Sequence, residues 1–130
     1  MRKIWFRGKR LDNAWVEGYF FAKPILEKYF IILGEEQWMV KPNTIGQYTG
    51  LDDMNGNKIF EGDIVRGAGG LPWLIAFENN AFVCKDKYME IYFTLFEQHD
   101  YDYKENKWMA PSERFEVIGN IYDNPELLNY

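Results

Sequence analysis

Oxygen-bearing side chains are concentrated in one short segment of the chain, and oxygen is the ligand atom that calcium prefers. These side chains are Asp52, Asp53, Asn55, Asn57, Glu61 and Asp63. A calcium loop beginning at Asp53 would require glycine where Lys58 stands and a bidentate glutamate where Ile64 stands. Asp and Asn also favour tight turns, because their short side chains bond to nearby backbone amides. We therefore predict turns in this segment rather than a metal site.

A catalytic triad is conceivable from residue types alone. The only histidine, His99, stands beside Asp100, and such a pair can orient an imidazole for proton transfer. Its nucleophile would be Cys84, but this cysteine lies in an apolar run, where a thiol is more often an inert core group. The glycines of residues 67–70 lack the lysine and hydroxyl of a phosphate-binding loop. We therefore expect no enzyme activity and no cofactor.

A basic cluster with aromatic residues opens the chain. Its members are Arg2, Lys3, Trp5, Arg7, Lys9 and Arg10. Rings combined with cations can hold single-stranded nucleic acid. Charged residues also protect the edge of a sheet, and in that interpretation Ile4 and Phe6 face the core while Trp5 and Arg7 share the other face. The net charge of −5 disfavours a nucleic-acid binder without excluding a local patch, so we favour the second interpretation.

Three large rings lie close together in a polar stretch near the C-terminal end: Tyr101, Tyr103 and Trp108. Tyr and Trp are enriched at protein interfaces because they bury a large area at low entropic cost. The stretch from His99 to Lys107 is expected to be a surface loop, and its rings are candidates for contact with a protein partner. The alternative is that these rings fold back over the core.

Composition describes a globular protein. The 130 residues are 47% hydrophobic and 18% aromatic, which is enough for one domain, residues 1–130, to bury its own core. No apolar run approaches the roughly 20 residues that cross a bilayer, and the N-terminus lacks the apolar part of a signal peptide. A single cysteine fits a reducing compartment, so we expect a cytoplasmic protein.

Short alternating runs predict a mainly β fold with several hairpins. One hairpin is expected between Ile4 and Phe21, and Gly18 within it indicates a bulge or the close approach of another backbone. Asn55-Gly56 predicts a type I′ turn, in which both central residues have positive φ. Another hairpin is expected between Trp73 and Lys85, turning at residues 78–80.

Two segments are less regular. Residues 88–96 fit both a helical stripe and one face of a strand, and their aromatic and β-branched content favours the strand. Asp123-Asn124-Pro125 is a typical helix start and predicts a short helical turn before the chain ends. Many short strands separated by turns indicate a small barrel or sandwich.

Three blocks of sequence together resemble one known family. They are FRGKRLDNAWVEGYFF, Phe6 to Phe21; TIGQYTGLDDMNGNKIFEGDIV, Thr44 to Val65; and EVIGNIYDNPELL, Glu116 to Leu128. In this order they are similar to the YopX family of phage and prophage proteins from bacteria. The resemblance implies a β-rich fold with a barrel-like core and supplies no catalytic residues. Residues 67–114 match no family pattern and are expected to be particular to this chain.

The sequence thus predicts a phage-encoded accessory protein that is not an enzyme. We expect it to bind another protein or to assemble with itself, using exposed rings as contacts. A nucleic-acid-binding module that uses the basic N-terminal strand is the alternative, because small β-barrels often serve that function.

Overall fold

A computed structural model describes residues 4–67, 70–95, 100–109 and 114–129, which form short antiparallel strands and 3-10 turns. The strands are β1 Phe6–Lys9, β2 Trp15–Lys23, β3 Lys28–Leu33, β4 Glu36–Met39, β5 Gly46–Asp52, β6 Lys58–Phe60, β7 Asp63–Arg66, β8 Pro72–Glu78, β9 Ala81–Lys85, β10 Ile91–Thr94, β11 Asp100–Asp102, β12 Lys107–Met109 and β13 Glu116–Asn120. The predicted mainly β class is confirmed. The predicted barrel-like core stays a prediction. None of the described segments is a helix of the length and apolarity that a membrane crossing requires.

The chain divides into two compact units, residues 1–50 and 51–130. The first unit is an antiparallel sheet with the strand order β4-β3-β2-β1-β5. Its buried apolar side chains include Phe30, Ile31 and Val40. The prediction of a single domain stays a prediction, since compactness alone does not show whether either unit folds independently.

Gly18 in β2 lies against the backbone of β3. A Cβ atom built on Gly18 would be 2.3 Å from the carbonyl oxygen of Ile32, far inside any normal contact. Glycine is the only residue without a Cβ atom, so it permits this close approach. The expectation of a closely approaching backbone at Gly18 is therefore confirmed.

The second unit contains a sheet of five strands in the order β10-β9-β8-β7-β13. Successive residues of β7 point to opposite faces of this sheet, as the pleat requires. Val65 packs on one face in a buried cluster with Ile59, Ile75, Phe82, Cys84, Leu95 and Phe115. Ile64 packs on the other face with Leu74 and with Leu128 from the last 3-10 turn. Both faces of the sheet are thus covered by apolar side chains.

The two predicted turns differ from each other in conformation. At Asn55-Gly56 only Gly56 has positive φ, at 82°, so the predicted type I′ turn is wrong. The amide of Gly56 donates to the carbonyl of Asp53, and the amide of Asp53 donates to the carbonyl of Asn57. This is a three-residue hairpin loop closed by a left-handed glycine. Conversely, Asn79 and Asn80 have φ of 53° and 62°, as a type I′ turn requires.

The other local predictions have mixed outcomes. The hairpin of β8 and β9 is confirmed, with Glu78 opposite Ala81. Residues 91–94 are a strand, so the β interpretation of residues 88–96 is confirmed for that part, while residues 88–90 are irregular and Phe96 lies outside the described residues. The expected loop at residues 99–107 is wrong in part, because β11 and β12 pair as a two-stranded ribbon within the described residues 100–109. A 3-10 turn spans Pro125–Leu128, as the helix-start pattern predicted.

Candidate functional site

One face of the first-unit sheet carries large rings and cations side by side. Side chains of a strand alternate between faces, and directly opposite residues of antiparallel strands share a face. Arg7 is opposite Glu17 and Lys9 is opposite Trp15 in the pairing of β1 with β2. The same alternation adds Trp5, Tyr19, Phe21 and Lys23. We call this set of residues, Trp5, Arg7, Lys9, Trp15, Glu17, Tyr19, Phe21 and Lys23, the aromatic–basic face.

Cations lie over a tryptophan ring at one end of the aromatic–basic face. The guanidinium carbon of Arg7 is 4.8 Å from the centre of the Trp15 ring, and Nζ of Lys9 is 5.6 Å from it. Both distances lie within the range of a cation–π interaction. The rings and charges of β1 and β2 therefore form a continuous layer rather than separate surface residues.

The middle of the aromatic–basic face is built around the two residues Trp5 and Tyr19. Their rings meet edge to face with centres 5.3 Å apart. The indole nitrogen of Trp5 donates a hydrogen bond of 3.1 Å to Oε1 of Glu17. These contacts orient Trp5, and 58% of Tyr19 remains exposed. Tyr19 is therefore a ring held by its neighbour and open to a ligand.

The far end of the aromatic–basic face repeats the combination of ring and cation. Nζ of Lys23 is 6.0 Å from the centre of the Phe21 ring and 5.9 Å from that of Phe30. Phe30 is buried, whereas Phe21 is 45% exposed. Phe21 and Tyr19 are separated by one residue of β2, so two accessible rings follow each other along one strand.

The formal charge is distributed unevenly between the two units. Residues 1–50 contain eight Lys and Arg and five Asp and Glu, a charge of +3. Residues 51–130 contain seven Lys and Arg and fifteen Asp and Glu, a charge of −8. The acidic net charge of the chain therefore conceals a basic first unit, and the aromatic–basic face belongs to that unit.

The predicted N-terminal cluster is only partly gathered on this face. Trp5, Arg7 and Lys9 are there, whereas Arg10 forms an ion pair of 2.9 Å with Asp12. Arg2 and Lys3 lie outside the described residues. Ile4 is 57% exposed, so its expected place in the core is wrong.

Sequence reasoning missed the contribution of β2 to the site. The alternation of Trp15, Glu17, Tyr19 and Phe21 was visible in the sequence. What was missing was the register that sets Trp15 opposite Lys9, since a shift of one residue would move those rings to the other face.

The predicted protein-contact residues lie on the ribbon of β11 and β12. Tyr101 and Trp108 are directly opposite each other in its register, while their side chains lie outside the described part of the structure. Tyr103 follows β11 in the loop and is 87% exposed. The ribbon thus presents at least one accessible ring.

The acidic segment forms turns, as predicted. Oδ1 of Asp53 accepts hydrogen bonds from the amides of Asn55 at 2.9 Å and Asn57 at 2.8 Å, and Oδ2 accepts one from Val117 at 2.9 Å. Burial by itself would raise the pKa of Asp53, but the bonds from Val117, Asn57 and Asn55 outweigh it and hold the pKa below its ordinary value. Oδ2 of Asp63 likewise accepts from the amide of Phe60 at 2.7 Å.

The proposed nucleophile of the triad is an inert core thiol. Cys84 is fully buried in the second unit, and burial raises its pKa to about 12. A thiolate is the reactive form of cysteine, so this thiol is neutral at ordinary pH. His99 lies outside the described residues. Among the residues that the structure describes, no group of three or more His, Cys, Asp or Glu side chains is arranged to hold a metal ion.

The fold and the site together define a small antiparallel β protein whose first unit exposes a sheet face of rings and cations. A protein-family model described as YopX protein matches residues 12–129, nearly the whole length. The chain belongs to the YopX family. The match extends through residues 67–114, which were expected to be particular to this chain. No curated protein is detectably similar to the chain.

Proposed function

We propose that the protein is a non-enzymatic binding module that contacts a macromolecular partner through the aromatic–basic face. The observation that carries this proposal is the succession of exposed rings on β2. Tyr19 and Phe21 are 58% and 45% exposed, although each is large enough to be a core residue. Aromatic groups of this kind concentrate binding energy at interfaces.

The surroundings of these rings support a binding role. The Trp5 ring contacts the Tyr19 ring edge to face, and the indole nitrogen of Trp5 donates a hydrogen bond to Glu17. A surface that is ordered before binding loses less conformational entropy when its partner arrives. The aromatic–basic face is thus suited to recognition without a large rearrangement.

Non-enzymatic action is supported by the state of the reactive side chain that the sequence offered. Cys84 is buried and protonated at ordinary pH, which removes the nucleophile from the Cys84–His99–Asp100 arrangement.

We also propose a cytoplasmic location and a phage or prophage origin, which the family resemblance and the single cysteine support. A barrel-like curl of the first-unit sheet is supported by the bridge between Arg10 and Val40, because it joins the end of β1 to the end of β4.

Photo-crosslinking tests the proposed surface whatever the chemical class of the partner. A benzophenone amino acid is placed at position 19 in one sample and at position 88 in another. Tyr88 is the matched control, because it is 73% exposed and lies in the second unit. In extract of the source cells, irradiation is expected to give more crosslinked product from position 19. Equal yields from both positions would overturn the proposal.

A second candidate is protein binding or self-assembly through the ribbon of β11 and β12. It is favoured by Tyr103, which is 87% exposed, and by the register that places Tyr101 opposite Trp108. Light scattering on the purified protein tests self-assembly. An oligomer that dissociates in the Tyr103→Ser variant supports this candidate, and a wild-type monomer at high concentration counts against self-assembly.

A further inference from the structure

We propose that the ligand of the aromatic–basic face is a single-stranded nucleic acid, an inference that rests on the proposed binding function. The ligand would run along β2, with bases stacked on exposed rings and phosphates near the cations of β1 and β2. Tyr19 and Phe21 supply the rings, while Lys9 and Lys23 supply the charge.

The arrangement of the rings fits unpaired bases. Alternate residues of a strand project from the same face about 6 to 7 Å apart, which gives Tyr19 and Phe21 neighbouring positions on an open sheet surface. A sheet surface that carries exposed rings is one on which successive bases can stack, and each base has a face suited to such stacking. In a duplex these faces are already stacked inside the helix, so single strands fit better.

The charges fit a polyanion. Each of Arg7, Lys9 and Lys23 lies over a ring of this face, and Glu17 is the only acidic member of the set. Cations at these positions attract phosphates and release their condensed counterions.

A protein partner fits this face less well. Lysine is depleted in the centre of protein–protein interfaces, because its ammonium group is costly to desolvate. On the aromatic–basic face Nζ of Lys9 is 5.6 Å from the centre of the Trp15 ring and Nζ of Lys23 is 6.0 Å from that of Phe21, so a protein partner that covered these rings would have to desolvate both ammonium groups. Phosphates, in contrast, accept hydrogen bonds from these ammonium groups and neutralise them.

Fluorescence anisotropy with a labelled oligothymidylate of roughly 15 to 20 nucleotides tests the inference, a length that covers one site of this kind. Two reference ligands accompany it: the matching duplex, and an abasic strand with the same number of phosphates. The wild-type protein is expected to bind the single strand most tightly, and its affinity should fall with salt concentration. No binding at low salt, equal affinity for the abasic strand, or tighter binding of the duplex would each overturn the inference.

Variants localise the binding to the proposed face. Tyr19→Ala is expected to weaken binding roughly 5- to 100-fold, the effect of losing one stacked base, and Tyr19→Phe is expected to retain it. Lys23→Glu should weaken binding. It should also make the slope of log binding constant against log salt concentration less steep, by about 0.7 for each phosphate that the protein no longer neutralises. The matched controls in the second unit are Tyr88→Ala and Lys107→Glu, since Lys107 is exposed and lies on β12, outside the sheet of β1 and β2. Weakening in the controls equal to that in the face variants would contradict the inference.

The crosslinking experiment separates this inference from the proposed function. If the product from position 19 is shortened by nuclease, both statements stand. If the crosslinked product from position 19 resists nuclease but a protease shortens the attached partner, the partner is a protein. In that case the proposed binding face is supported and the nucleic-acid ligand is overturned. If position 19 gives no more product than position 88, the proposed function itself fails.

Discussion

Asp53 is a buried carboxylate whose removal should strongly destabilise the second unit. It accepts bonds from the amides of Asn55, Asn57 and Val117, and it is 6% exposed. A hydrogen bond to a charged acceptor contributes about 1.5 to 3 kcal/mol. The amides of Asn55 and Asn57 lie in an exposed loop, so water can accept their hydrogen bonds when the Asp53 carboxylate is removed. The amide of Val117 belongs to β13 and loses its acceptor more completely. We therefore expect Asp53→Ala to lower the free energy of unfolding by about 2 to 4 kcal/mol.

The same carboxylate should make stability depend on pH. The pKa of Asp53 is lower in the folded protein than its ordinary value of 3.8. A lowered folded pKa gives stability that is present above the unfolded pKa and lost as the pH falls through the folded pKa. The wild-type protein should therefore lose this contribution below about pH 4, and Asp53→Asn, which has no charge to protonate there, should not.

Urea unfolding followed by tryptophan fluorescence measures both effects, at pH 7 and then at a series of lower pH values. Asp52→Ala is the matched control, because Asp52 is the exposed neighbour of Asp53. It should change stability by no more than about 0.5 kcal/mol. Unfolding of Asp53→Ala within this margin of the wild type at pH 7 would refute the stabilising role of Asp53. An acid-dependent loss in Asp53→Asn as large as that of the wild type would refute its role in the pH dependence.

Three further predictions follow from single positions. Gly18→Ala should destabilise the protein by about 3 kcal/mol or more, because the added Cβ atom would lie 2.3 Å from the carbonyl oxygen of Ile32. A thermal unfolding midpoint close to that of the wild type would contradict this. In Gly56→Ala the added Cβ atom meets no neighbouring atom within 4 Å, but φ at Gly56 is 82°. We therefore expect backbone strain alone to lower the free energy of unfolding in urea by about 1 kcal/mol. An unchanged urea midpoint would be inconsistent with this strain. Cys84 should resist iodoacetamide in native buffer and react in urea, because its thiol is buried and its pKa is raised to about 12; rapid labelling of the folded protein would disprove that burial.

The sequence predicts local structure where a short-range cause dominates. The alternation in β2, the turn at residues 78–80 and the 3-10 turn at Pro125–Leu128 follow from neighbouring residues. Asn55-Gly56 shows the limit of this reasoning. Asp53 binds the amides of Asn55 and Asn57, and this side-chain acceptor favours a three-residue loop over the type I′ turn that the dipeptide alone predicts.

The candidate site depends on long-range pairing, so the sequence predicts only three of the eight residues of the aromatic–basic face. Trp5, Arg7 and Lys9 are apparent as a cluster because they are neighbours in the chain. Their partnership with Trp15 and Tyr19 requires the register of β1 with β2, which places Lys9 opposite Trp15. The net charge of the whole chain also conceals a division, since residues 1–50 are basic and residues 51–130 are strongly acidic.

An NMR titration of isotope-labelled protein with oligothymidylate shows whether single-stranded nucleic acid binds and which residues of the chain it contacts. We expect the largest amide shifts in residues 5–9 and 15–23, which are Trp5, β1 and β2, while residues 72–85 of the second unit should be little affected. Shifts concentrated in the ribbon at residues 100–109, or no shifts at low salt, would contradict this expectation.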